Sequence, residues 1–382
     1  MSVYVDKCKG VIHISVTGEL EEENELKLLI CYLNKYADIE IHITFLDANI
    51  IPGIIVEQLL EIQKYEKNNI YVIKNFLYSY LYGLGIQCLY VNKMTQKKSL
   101  VSSLVLNESK LDYLKVRHFL ESINLNYGYD YTQYQIESII RRIKITMIRY
   151  GIKDFEEFQK IILTDQEAFE QLFLDFSINT TEFFRNPEVY TILREKVLPY
   201  LKSYSHIRIW SVGCSNGKEP YSLAMLLNEQ KMLHKTQIYA TDINPYIIEE
   251  AKNGFYSLDT IITEKNNYTR AGGTKDFYNY FDIKGNCAKV SKFLSEKILF
   301  FQHSLLEKGI LNEFQLILCR NVMIYFDRNL QKKVLEYFYN SLDISGFLVL
   351  GKSESILPNE GVRFFSNYNE DYRIYKRRLT QK

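Results

Sequence analysis

The stretch Ile207-Arg-Ile-Trp-Ser-Val-Gly213-Cys-Ser-Asn-Gly217-Lys-Glu219-Pro-Tyr-Ser222 decides the fold of the larger part of this chain. Its first six residues read as a short buried strand, and Pro220–Gln230 reads as a helix. Between them Gly213 and Gly217, beside small residues, let the backbone turn tightly and come close to a ligand. A strand, a glycine-rich turn and a helix make a nucleotide-type site. The spacing is neither G-x-G-x-x-G nor G-x-x-x-x-G-K-[ST], which counts against NAD and ATP. A plain strand-to-helix turn would read the same way, so the neighbouring segments have to decide.

Downstream, a strand at Gln237–Ala240 leads into Thr241-Asp242-Ile-Asn244-Pro245. An acidic residue roughly 20–30 positions past the glycines suits the ribose hydroxyls of an adenosine cofactor. Asp242 also stands where it would cap the helix opening at Pro245. Further on, Phe314–Cys319 reads as a strand, Leu330–Leu342 as a helix and Gly346–Leu350 as a strand. This alternation predicts an α/β fold, a parallel sheet with helices on both faces. Ligands on such sheets bind beyond the carboxyl ends of the strands.

Upstream, the reading is helical from Leu111 to about Thr180. Ile136, Ile139, Ile140, Ile143 and Met147 share one face, as do Phe155, Phe158, Ile162 and then Phe169, Leu172 and Phe173. Gly151 separates two of these helices. Lys93–Lys110 is rich in Ser and Lys and lacks periodicity, so it reads as a linker. The first 92 residues alternate again. Strands are expected at Val11–Thr17, Ile39–Leu46, Asn69–Ile73 and Gln87–Val91, with helices over Glu25–Tyr36, after Pro52 and over Phe76–Leu84.

Of the 382 residues, 47% are hydrophobic and 24% charged, enough to give each part a core. A net charge of +1 counts against bulk-charge binding to nucleic acid or anionic membrane. The N-terminus MSVYVDKCKG has charges where a signal peptide needs apolar residues, and no apolar run nears the roughly 20 residues of a membrane span. Cys8, Cys31, Cys88, Cys214, Cys287 and Cys319 are scattered without a C-x-x-C pair, and the histidines show no metal-ligand spacing. A reduced cytoplasmic protein without a structural metal or membrane insertion is expected.

Five stretches taken together resemble the CheR family of chemoreceptor methyltransferases: Ser177–Arg185 (SINTTEFFR), Trp210–Ser222, Ala240–Pro245, Cys319–Asp327 (CRNVMIYFD) and Gly351-Lys-Ser-Glu354. They occur in family order, and the resemblance covers Leu111 to the C-terminus. It implies an all-helical domain at 111–186. It also implies a class I, Rossmann-like S-adenosylmethionine-dependent methyltransferase domain at 187–382, with a small antiparallel β-subdomain near 277–300. The first 92 residues resemble the STAS domain of anti-sigma-factor antagonists, but Asp47–Gly53 lacks the hydroxyl that those domains phosphorylate. A docking or packing module is then implied.

The CheR resemblance assigns roles residue by residue. Asn179, Thr181 and Arg185 would reach S-adenosylmethionine from the helical domain. Gly213 and Gly217 would cradle it, Glu219 would contact it past the turn, and Asp242 would bind its ribose. Ser304 and Leu305 would lie near the adenine. The family generally has Asn or Asp at the position of Ser304, which implies weaker cofactor binding. Cys319 and Arg320 would line the site, and Tyr325 would face the reacting methyl. The implied reaction forms glutamate methyl esters on chemoreceptors and releases S-adenosylhomocysteine. No general base is needed, because a glutamate is already ionised at neutral pH. Arg185 and Tyr325 would instead hold cofactor and carboxylate at reacting distance.

Taken singly, these residues have plainer readings: Arg185 as a surface ion pair, Asn179 and Thr181 as helix caps, Tyr325 and Cys319 as core. The basic residues Arg141, Arg142, Lys144 and Arg149 on helix Gln135–Tyr150 form either a solvated face or, as the resemblance implies, a docking face for acidic receptor helices. The turn around Gly285 is short, which implies no tether to a receptor's C-terminal pentapeptide. A CheR-like enzyme acting on another signalling protein, or a non-catalytic cofactor-binding scaffold, are the competing functional readings.

Overall fold

The computed structural model describes residues 2–8, 11–17, 29, 40–46, 48, 51–63, 68–73, 75–90, 111–177, 181–306, 313–356 and 363–379. The helix expected over 25–36 (Leu29 apart), the linker 93–110 and Asn179 lie outside the described residues. The chain divides into two compact units, one of Met1–Val105, Glu249–Lys265 and Asp276–Lys292, the other of Leu106–Ile248, Asn266–Lys275 and Phe293–Lys382.

In the first unit β1 (Ser2–Cys8), β2 (Val11–Thr17), β3 (Ile41–Phe45), β4 (Asn69–Val72) and β5 (Cys88–Tyr90) form one sheet in chain order. The β1–β2 pair is antiparallel and the other pairs are parallel. Strand β1 adds to the sequence expectation, its alternation being carried by Val3 and Val5 alone. Ile12, Ile14 and Val16 of β2 and Ile41, Ile43 and Phe45 of β3 all point to one buried face. Helix Gly53–Ile62 follows Pro52 and seats Ile55, Val56 and Leu59 against them.

Three short strands from later in the chain belong to the same unit. They are β8 (Phe255–Ser257), β9 (Phe281–Lys284) and β10 (Cys287–Val290), antiparallel in the order β8-β10-β9. Phe255 and Cys287 join the core of the first sheet. The Gly53 N–H donates to Asn253 Oδ1 at 3.1 Å, Asn253 Nδ2 donates to the Ile51 carbonyl at 3.2 Å, and Lys289 pairs with Glu57 at 2.8 Å. The small sheet therefore includes Phe255–Ser257, upstream of the expected 277–300, while Ile298–Phe300 belongs to the large sheet described next.

The second unit opens with helices Tyr113–Tyr127, Ile136–Tyr150, Phe155–Thr164 and Gln166–Phe176. Asp112, Asp154 and Asp165 cap three of them by accepting first-turn N–H groups, and Gly128 and Gly151 end two in the left-handed conformation. Their apolar faces meet in one core that contains Phe119, Ile139, Ile143, Phe158, Leu172 and Phe173.

The large sheet runs β11-β7-β6-β12-β13-β15-β14. Its strands are β6 (Ile207–Val212), β7 (Thr236–Asp242), β11 (Ile298–Gln302), β12 (Phe314–Cys319), β13 (Leu342–Leu350), β14 (Phe365–Asn369) and β15 (Ile374–Arg377). The first five are mutually parallel, but β15 is antiparallel to both β13 and β14, so the sheet is mixed rather than all-parallel. That hairpin escapes periodicity because its polar and aromatic residues do not alternate cleanly. Among the described residues no helix is long and apolar enough to cross a membrane.

Candidate functional site

The carboxyl ends of β6, β7 and β12 converge at Val212, Asp242 and Cys319, where the strand order reverses. Such a reversal opens a crevice above the sheet. Gly213 leaves β6 at φ +64°, and a Cβ there would come within 2.4 Å of Val322 Cγ2, so only glycine fits. The Cys214 N–H donates to the Thr241 carbonyl at 2.9 Å, and Gly217 caps helix Lys218–Glu229 at φ +90°.

Asp242 sits at the end of β7 with one carboxylate oxygen accepting from the Ser215 N–H (2.9 Å) and the other from the Asn244 N–H (3.1 Å). Burial pushes its pKa up, and the N–H groups of Asn244, Ser215 and Ile243 pull it partly back. The capping role falls to Asn244, whose Oδ1 accepts from the Tyr246 N–H at 2.9 Å. Asp242 is thereby left facing the crevice.

A cavity of about 110 Å³ occupies that crevice. Gly213, Asp242, Ser304, Leu305 and Tyr325 line it together. Ser304 Oγ accepts from the Leu306 N–H at 3.2 Å, which leaves its proton to donate. The helical domain closes one side with Tyr131, Tyr134, Phe176 and Ser177. Sequence reasoning assigned none of these four a role.

The other assigned residues lie elsewhere. Glu219 does not line the cavity: one oxygen accepts from Ser211 Oγ at 2.8 Å and the other from Arg320 Nη1 at 3.1 Å. Arg320 is buried in that pair, and its Nη2 donates to the Arg185 carbonyl (2.7 Å) and to Asn186 Oδ1 (2.9 Å). Lys218 Nζ reaches the Thr181 carbonyl at 3.4 Å, and Ser222 Oγ accepts from the Phe184 N–H at 2.9 Å. Glu219, Arg320, Lys218 and Ser222 thus clamp the segment Thr181–Asn186 onto the start of helix Lys218–Glu229. Glu219 and Arg320 form the buried centre of this clamp. Cys319 is fully buried on β12 and does not line the cavity either, and burial pushes its thiol and that of Cys214 well up, which leaves both inert.

The run Asn321–Ile324 owes its shape to Glu354, the last residue of the matched Gly351–Glu354 stretch, to which no role was assigned from sequence. Glu354 is buried, and its carboxylate accepts five backbone N–H groups: Asn321 and Gly351 on Oε2, and Val322, Met323 and Ile324 on Oε1. Burial raises its pKa against those donors. This carboxylate turns the chain after β12 so sharply that Asn321 adopts φ +62°. Asn321 lines the cavity, and its Oδ1 is buried without a hydrogen-bond partner in the protein. A buried acceptor of this kind asks for a donor from a ligand.

Tyr325 follows in a short 3₁₀ turn, and the helical domain grips it. The Gln135 N–H donates to the Tyr325 carbonyl at 2.8 Å, and the Asp327 N–H donates to the Gln133 carbonyl at 2.9 Å. The Tyr134 ring meets Phe326 edge-on at 5.2 Å. On helix Ile136–Tyr150, Arg141 is exposed and Lys144 half-buried, while the side chain of Arg149 lies outside the described residues. Arg142 departs from the expected docking face: it is only 9% exposed and turns inward toward Tyr325, because position 142 falls beside the buried Ile143 and Thr146.

The residues present fit an adenosine-type cofactor. Asp242 offers acceptors for vicinal hydroxyls, Gly213 permits close approach, Asn321 Oδ1 lacks a partner, and five aromatic rings wall the cavity. A family model for the CheR methyltransferase SAM-binding domain matches residues 179–371, and one for the CheR methyltransferase all-alpha domain matches 115–177. Among curated proteins, Cher3 of Pseudomonas putida, named as a methyltransferase, is 39% identical over 243 residues, 64% of this chain and 89% of that protein. A chemotaxis protein methyltransferase of Listeria monocytogenes is 32% identical over 250 residues, 64% of this chain and 90% of its own. One from Borreliella burgdorferi is 31% identical over 253 residues, 63% and 87% respectively. With both domain models in register with the fold and the crevice, the chain belongs to the CheR family of S-adenosylmethionine-dependent methyltransferases.

Proposed function

We propose that this enzyme methylates glutamate side chains of chemoreceptors, with S-adenosylmethionine as donor and S-adenosylhomocysteine as product. The observation that carries the reading is the joining of Asp242, Gly213 and Asn321 to Tyr325 around one cavity at the sheet's switch point. When bound, the cofactor supplies an activated methyl. Asp242 would hold the ribose, Asn321 Oδ1 and Ser304 Oγ would offer further hydrogen-bonding atoms, and Leu305 would supply apolar surface for the adenine. Thr181 and Arg185 belong to the segment that the Glu219–Arg320 clamp holds beside this site, and Asn179, outside the described residues, is kept as a cofactor contact on the resemblance alone. Arg185 supplies a cation that keeps a desolvated glutamate ionised, and Tyr325 fixes the line of approach. The aromatic wall excludes water.

Substrate docking is assigned to the outer face of helix Ile136–Tyr150. Arg141 and Lys144 offer positive charge there, and Ile145 (46% exposed) and Ile148 (45%) offer apolar area. An acidic, amphipathic receptor helix fits both. Charge reversal at Arg141 and Lys144 lowers receptor methylation and leaves cofactor affinity unchanged. No pentapeptide tether is proposed. The turn between β9 and β10 holds only Gly285 and Asn286, and Phe255 and Cys287 of the small sheet are covered by the N-terminal sheet, which we read as a STAS-like packing module.

The test is transfer of labelled methyl from S-adenosylmethionine to receptor cytoplasmic fragments, with Arg185→Ala as control. Base-labile label that the variant loses supports the reading. Tight S-adenosylhomocysteine binding with no label on any receptor fragment overturns the substrate assignment.

A further inference from the structure

We infer that Arg142 is a positioning residue that holds the ring of Tyr325 in place for methyl transfer. The inference deepens the methyltransferase reading above and rests on it. A cation on the outer face of a docking helix belongs in solvent, yet Arg142 is nearly as buried as the core residues around it. Burying a guanidinium is costly unless its charge and its donors are used. Here they are used in two directions. Nη1 donates to the Asp175 carbonyl at 3.1 Å and to the Phe176 carbonyl, the last carbonyls of helix Gln166–Phe176, where the helix dipole favours a cation. The guanidinium carbon lies 5.3 Å from the centroid of the Tyr325 ring.

The surroundings fix Arg142 rather than leave it free to swing. Thr146 Oγ1 donates to Asp175 Oδ2 at 2.8 Å, tying helix Ile136–Tyr150 to the helix end that Arg142 grips. Phe176 meets Tyr131 edge-on at 4.9 Å, and both line the cavity. Tyr325 is thus held from two sides by the helical domain, at its carbonyl by Gln135 and at its ring by Arg142. A cation over an aromatic face restricts the tilt of the ring. A displacement of about 1 Å near the reacting atoms costs on the order of 100-fold in rate. Arg142 needs no contact with substrate to matter.

The test combines kinetics with a probe that needs no substrate. Arg142→Gln lowers kcat for receptor-fragment methylation by roughly 10- to 100-fold. Its KM for S-adenosylmethionine and its affinity for S-adenosylhomocysteine shift by no more than about 3-fold, and Arg142→Lys restores part of the rate. In a Tyr325→Ala background Arg142→Gln has no further effect, because its target is gone. A full, additive loss in that background overturns the inference. Independently, fluorotyrosine placed at position 325 gives one ¹⁹F resonance, which Arg142→Gln shifts or broadens and Arg142→Lys largely returns. An unmoved resonance refutes the positioning role even if the true methyl acceptor is not a chemoreceptor. A changed resonance with no methylation of any receptor fragment sustains the inference and indicts the substrate assignment alone.

Discussion

Glu354→Gln isolates the carboxylate that shapes the turn beneath the cavity. Glutamine fills the same volume but offers one acceptor oxygen where glutamate offers two. Its amide must point two donors at backbone N–H groups, in the less costly orientation those of Asn321 and Gly351. Each buried N–H left without an acceptor costs about 1–3 kcal/mol, so the pair costs roughly 2–6 kcal/mol. Removing a buried charge returns part of that, since burial alone pushes the Glu354 pKa up. The net loss is about 2–3 kcal/mol, and thermal scans of the purified chain should show a midpoint roughly 5–10 °C lower. Calorimetry with S-adenosylhomocysteine should show affinity weakened about tenfold, because Asn321 and Val322 line the cavity from this turn. A variant melting within about 2 °C of the parent, with the same affinity, would refute the argument that this carboxylate builds the site.

Gly213→Ala should abolish measurable S-adenosylhomocysteine binding, and adding Val322→Ala should restore only part of it, since the clash is removed but the positive φ remains; calorimetry of the single and double variants checks this. Affinity for S-adenosylhomocysteine should fall as the pH is lowered, beginning above the usual aspartate range, because burial raises the Asp242 pKa and protonation removes an acceptor. The sign for stability is opposite: a raised folded pKa favours the folded state in acid, and that contribution is lost as pH rises through it. Asp242→Asn should flatten both profiles, which pH-resolved titrations and melts would show. Glu57→Ala should change stability by no more than about 1 kcal/mol in denaturant unfolding, because the Lys289–Glu57 pair is well exposed on both sides.

The cofactor crevice was legible in the sequence because its key residues are contiguous with strand ends. Gly213 follows β6 and Asp242 ends β7, so periodicity and glycine placement locate both. Glu354 and Asn321 stood inside two of the matched stretches, but their roles were not legible. One acts through five main-chain N–H groups and the other through a left-handed turn, and neither leaves a trace in residue spacing. The two motifs that carry Glu219 and Arg320 were visible, but the pairing of these residues makes them a clamp, which only the fold reveals. In Arg141–Arg142 the two side chains are chemically identical, and a helical rotation of about 100° puts one in water and the other under Tyr325. The N-terminal alternation predicted its sheet, while its shared core with Phe255 and Cys287 depends on a pairing some 200 positions away, as Gly53 to Asn253 shows.

The short main-chain ladder between Gln133–Gln135 and Tyr325–Asp327 has a consequence for how this enzyme can vary. Its bonds join peptide groups, so side chains on either segment can change while the two stay in register. The helical domain can then exchange its outer residues without loosening its hold on the Tyr325 main chain. Mechanical coupling and surface identity are written in different atoms. A chimera carrying another family member's outer helix face on this backbone would keep its chemistry and acquire a new clientele.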